Sequence, residues 1–330
     1  MRQVSFKSLI LSIGISLALA SGVSAQGMFG TKPVKLPAKI AFVRNMNLWL
    51  LDANGSTEKQ LVAFDNVTGR LAWHPDGKRI TFARKGDYSY SLPDAGGGKH
   101  PLFDLFLKHI DSSRVNAWFW VTHNHGSHTP EWSKDGKYVL YVHDLNANQV
   151  DAEKPDYQIE WRTFDAKEVH ALTRKGAAPR ESQGIQPTWS PDRSKVAFVY
   201  VDDMKPAGIV IEPGTGIVRS EDELGKAALA LTNLMFPEWS PDGKWIACVN
   251  SEDSDNGIYL IDPLTLSKRR IFEKTATITP HRAPVSWSAD SKWLTFSSSD
   301  GYIYLMDAEG KNVTKVSSGG NDYYPAFCPK

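Results

Sequence analysis

Three of the chain's nine histidines fall within six residues: the stretch VTHNHGSHTPEW carries His123, His125 and His128. His143 ends the apolar run YVLYVH, and His281 stands in TPHRAPVSW. Neutral imidazoles ligate Zn, Mn, Fe or Cu, so these five side chains, if convergent, would make a divalent transition-metal centre. No helical spacing enforces convergence in His-x-His-x-x-His, so loops would have to impose it. Arg282, Arg44 and Arg84 are the cations available to hold a uronate beside such a centre.

A second stretch, FPEWSPDGKWIACVN, groups Trp239, Asp242 and Lys244 and has the look of a polar site. Its type recurs, however, and recurrence marks a structural part. The acidic loop SEDSDNG (251–257) lacks the spaced ligands and distal Glu of a calcium loop and reads as a solvated turn. No Gly-x-Ser-x-Gly nucleophile elbow and no Cys-x-x-Cys-His haem motif occurs. Cys248 and Cys328 allow one disulfide at most.

The elements that must position these residues come from an internal repeat. RLAWHPDGKRITFAR, TPEWSKDGKYVLYVH, QPTWSPDRSKVAFVY, FPEWSPDGKWIACVN, APVSWSADSKWLTFSS and the shortened YPAFCPK share one template. Their anchors are Trp73, Trp132, Trp189, Trp239, Trp287 and Phe327, spaced 40 to 59 residues apart. Pro-Asp-Gly is turn chemistry, with Ser194 and Ser291 standing where Gly is usual. The alternation that follows, as in Ile80/Phe82 and Ile246/Cys248, is that of a half-buried strand. Second strands (LWLLD, LFLKHID, YQIEWRTFD, IYLID, IYLMD) and third ones (KQLVAF, AWFWVTH, EVHALT, AALALT, VTKVSS) complete four antiparallel strands per unit. KIAFVRN lacks an anchor strand before it and YYPAFCP lacks a partner after it. Joined, they close a circle. The expectation is an all-β fold, a six-bladed β-propeller of four-stranded antiparallel blades, closed by pairing the N- and C-terminal strands in one blade.

The WSPDGKxIxF tile resembles the PD40 repeat of the TolB-like, WD40-like propellers, and the resemblance covers residues 39–330. It implies the propeller alone, since only about a dozen residues separate the leader from the first strand, too few for a separate N-terminal domain. Within the PD40 relatives, oligogalacturonate lyases place metal-binding histidines before anchor strands, and TPHRAPVSW is loosely similar to that arrangement.

Residues 1–25 carry a basic start, a short apolar run and small residues before Gln26, the composition of a signal peptide. Residues 26–38 form an N-terminal lead-in and 39–330 a single propeller domain. Net charge is +1, which gives no pull toward nucleic acid, and the apolar run is too short for a membrane span. The loops 86–104 and 144–157 extend two neighbouring blades, and the Tyr-rich first loop is suited to binding. The reading is an exported, periplasmic-type interaction scaffold whose partners are other protein subunits. In size and architecture it resembles the propeller subunits of enzyme assemblies such as hydrazine synthase. The alternative is a metal-dependent lyase or hydrolase of anionic sugars, with a divalent transition metal as the only cofactor.

Overall fold

The computed structural model describes residues 34–330 except 64, 87–101, 113–117, 148–154, 173–183, 203–204, 217–218, 251 and 282. The expected signal peptide, Arg282 and most of the two long loops lie outside the described residues.

Each tile folds as its chemistry dictates. The Ser hydroxyl after the anchor donates to the Asp two residues on: Ser133 to Asp135 at 2.6 Å, Ser190 to Asp192 at 2.6 Å, Ser240 to Asp242 at 2.7 Å and Ser288 to Asp290 at 2.6 Å. The same Asp accepts from the backbone N–H that starts the next strand, as Lys244 does at 3.2 Å. Gly243 takes φ 76° there. In the fourth blade the left-handed residue is Arg193 (φ 60°), so Arg193 and not Ser194 replaces the glycine; Ser291 (φ 58°) does so in the sixth. The Trp-Ser-Pro-Asp-Gly motif is therefore turn construction.

Six sheets result. Blade 1 comprises Ile40–Arg44, Asn47–Leu51 and Glu58–Val62, and takes its innermost strand, Asp322–Phe327, from the other end of the chain. Ile40 pairs with Phe327 and Arg44 with Asp322. That closure carries an ionic clasp: Arg44 Nε and Nη2 donate to the two Asp322 carboxylate oxygens at 2.6 and 2.9 Å, while Nη1 donates to Glu58 at 2.6 Å. The innermost strands of blades 2 to 6 are Val67–Trp73, Ser127–Trp132, Gly184–Trp189, Leu234–Trp239 and Ser286–Trp287.

Blade 4 departs from the expected pattern. Its sheet has three strands, and AALALT, read as a strand, is the end of the helix Glu221–Ala230 (α1) and the turn after it. Local chemistry explains the change. Ser220 caps the helix, its N–H and hydroxyl both donating to Glu223 at 2.8 Å, and Ala and Leu are strong helix formers. Leu224 and Ala228, one turn apart, bury against Trp189, Phe198 and, from blade 3, Leu140 and Ile159. Only a bridge between Gly208 and Thr232 remains of the fourth strand. A Cβ at Gly208 would lie 2.2 Å from the Ala228 carbonyl oxygen, so glycine is what lets α1 approach.

The core lies between blades. Cys248 is fully buried with Ala197, Val199 and Ile209 of blade 4, and its thiol titrates far above the usual range because burial excludes the thiolate. Both cysteines are free.

Candidate functional site: the axial channel

Every innermost strand aims alternate residues at the propeller axis. Four carry a left-handed residue three positions before the anchor, at Thr129, Gln186, Phe236 and Tyr324 (φ 55–57°). Bulges accompany them, which re-aim the following side chains. Two layers line the channel. Residues three before the anchor (Arg70, Thr129, Gln186, Phe236, Pro284, Tyr324) enclose a chamber of about 250 Å³ at one end. Five of the six residues one before the anchor (Ala72, Glu131, Glu238, Ser286, Ala326), with the six anchors themselves, line a chamber of about 600 Å³ at the other.

Arg70 borders both chambers and closes the waist between them. Its Nη1 donates to the Pro187 carbonyl at 2.8 Å, and its Nη2 lies 2.8 Å from Glu131 Oε2 and in very short contact with Glu238 Oε2. One guanidinium from blade 2 thus links blades 3, 4 and 5. Burial opposes its charge, but Glu238 and Glu131 outweigh that and raise its pKa. The acids are in excess over the cation. Burial pushes Glu238 up to about 8 against the pull of Arg70, with Glu131 adding to the rise. Glu131 is raised by burial too, although Arg70 and the Trp189 backbone N–H, at 3.0 Å, oppose it. Both side chains line the larger chamber, with 18% and 21% of their surfaces exposed.

Each of the five candidate histidines sits against side chains of its own. His125 Nδ1 bonds Asp104 at 2.8 Å, and His143 Nδ1 bonds Glu160 at 3.0 Å. Such carboxylate partners fix the ring as in a metal site's outer shell. His123 stacks on Trp120 at 4.7 Å, and His281 packs on Tyr323 at 4.7 Å. His128 alone lines the channel, in the smaller chamber; burial and then nearby His143 push its pKa down to about 4, keeping it neutral. Among the described residues no three His, Cys, Asp or Glu side chains group to hold a metal ion. Arg44 belongs to the closure clasp, and Arg84 donates to Asn66 at 2.8 Å.

Sequence reasoning missed Arg70, Glu131 and Glu238. The signal was there: aligned on the anchors, the tiles show two Glu in a column otherwise filled by Ala, Thr and Ser, and one Arg two positions earlier.

Together these features define a closed six-bladed β-propeller with a charged plug across its axis. The chain belongs to the TolB beta-propeller family: the PD40 profile, described as the TolB beta propeller domain, matches residues 147–330. It is 30% identical over 115 residues to the Tol-Pal system protein TolB of Alcanivorax borkumensis, a match covering 35% of this chain and 23% of that protein. The match thus spans under a quarter of that relative's length. In structure it is similar to TolB from Acinetobacter baumannii (TM-score 0.66, 18% identity, 90% of this chain, 68% of that one). A chain of the nidogen/laminin complex is also similar (TM-score 0.58, 13% identity, 88% and 98%). At these identities the structural likeness concerns the fold.

Proposed function

We propose that this chain is an exported, periplasmic-type propeller that holds partner proteins as a subunit of a larger complex, docking them on the outer edges of blades 2 and 3. The carrying observation is the distribution of exposed apolar side chains. Five of the nine large ones among the described residues belong to those two adjacent blades, and three of these, Phe119, Trp120 and Val169, stand on their outer strands. The outer strand of blade 2, Trp118–Trp120, exposes Phe119 by 58% and Trp120 by 41%. Exposed aromatic side chains on a sheet edge are interface material. Two further points support the reading: the curated relative is named for a multi-protein system, and a similar fold occurs within a protein complex. Export rests on the basic and apolar character of the leader. No described helix is long and apolar enough to cross a membrane.

The test is affinity purification from the native host with cross-linking and mass spectrometry. The wild-type chain is expected to bring down a defined partner, and the Phe119→Ser/Trp120→Ser variant to lose it while keeping its melting temperature. Recovery of the wild-type chain as a lone monomer, or undiminished capture by the variant, rejects the reading. A periplasmic enzyme assembly of the hydrazine synthase kind is the finer form of the proposal, and the captured partner's identity decides it.

A further inference from the structure

We propose that the larger channel chamber is a binding site for a slender organic cation, a primary ammonium on an alkyl stem, seated on Glu238 and Glu131 and collared by the anchor rings. This inference does not depend on the docking surface proposed above, which lies on the outer edges of blades 2 and 3.

Two independent features converge on it. The first is charge. The chamber floor holds two carboxyl groups against one guanidinium, and both glutamate side chains keep surface in the channel. At the rim, Lys134 and Arg193 are matched by Asp242 and Asp290, so the acid excess is confined to the floor. Arg193 is turned onto the Tyr138 and Trp189 rings, 4.2 and 5.6 Å from their centroids. The second is space and wall. About 600 Å³ is bounded by Trp73, Trp132, Trp189, Trp239, Trp287 and Phe327, enough room for a lysine-sized stem against aromatic surface that favours cations. A lysine side chain presents such an ammonium on such a stem.

Seating the cation releases the proton held on Glu238, so the carboxylic acid and ammonium become a carboxylate–ammonium pair plus a free proton. Binding should accordingly strengthen as pH rises toward about 8, the point to which Glu238 is displaced.

The experiment is isothermal titration calorimetry of the full folded chain with Nα-acetyl-lysine methylamide, its norleucine analogue and 1,5-diaminopentane. Runs at pH 6 and 8, each in two buffers of different ionisation enthalpy, read affinity and proton release. The lysine amide is expected to bind with proton release, more tightly at pH 8, and the norleucine analogue not to bind. Glu238→Gln, which leaves Arg70 and Glu131 as a balanced pair, should weaken the lysine amide at least about tenfold and abolish proton release. A diamine that binds as tightly as the lysine amide supports the cation site and assigns it to free polyamines; a preference for the amide supports it and assigns it to a peptide. Equal binding of the norleucine analogue, affinity unchanged in Glu238→Gln, or weaker binding at pH 8 overturns the proposal.

Discussion

Arg70 pairs at once with Glu131, Glu238 and the Pro187 carbonyl, so its loss strands two carboxylates in the channel. Removing one partner of a buried ionic group leaves an uncompensated charge, and Arg70→Ala should cost about 3 kcal/mol, read as a shift in the chemical-denaturation midpoint. The triple variant with Glu131→Gln and Glu238→Gln should recover most of that loss. No such account attaches to Asp242 or Lys244, which share a tile with Glu238. Asp242 is spent on the Ser240 hydroxyl and the Lys244 backbone N–H. Identical neighbours in sequence thus serve opposite ends, and the difference lies in which way the strand turns each side chain.

Among the elements, α1 is the departure from the tile. Its close contact with the blade 4 sheet passes through Gly208, so Gly208→Ala should force the helix outward at a cost of about 1–3 kcal/mol. Hydrogen exchange should quicken across 221–230 while the innermost strands stay protected. Much else at this scale is legible in the sequence, because a tile copied six times averages out local noise: the anchors, the turns and the closing blade all follow from it. AALALT defeats the reading because five apolar and small residues fit either period, and the capping Ser220–Glu223 pair decides in favour of a helix. The channel plug is harder to read for another reason. Its odd residues stand out once the tiles are aligned on their anchors, but Arg70 and the two glutamates are distant in sequence, and only ring closure makes them neighbours.

Across the whole molecule two sets of carboxylates pull stability in opposite directions with pH. The turn aspartates are held low; Asp192 is lowered to about 2, chiefly by the Ser190 hydroxyl. Their folded pKa lies below the unfolded one, so their contribution is present above about pH 4 and is lost as pH falls. Glu238 behaves inversely. Its folded pKa, about 8, lies above the ordinary value, so its contribution is full in acid and is lost as pH rises toward and through 8. Thermal melts from pH 3 to 9 should therefore show a maximum in mildly acid solution. Glu238→Gln should flatten the alkaline limb and leave the acid limb unchanged.

Ring closure also sets a timetable. The partner of Ile40–Arg44 is Asp322–Phe327, so the first blade cannot be completed until the strands of all the other blades have been synthesised. A growing chain can stack successive blades yet must remain an open arc with two bare sheet edges, a state that chaperones and proteases recognise. If the chain is exported as proposed above, the same delay is an advantage: the closing strand works as a latch that arrives on the far side.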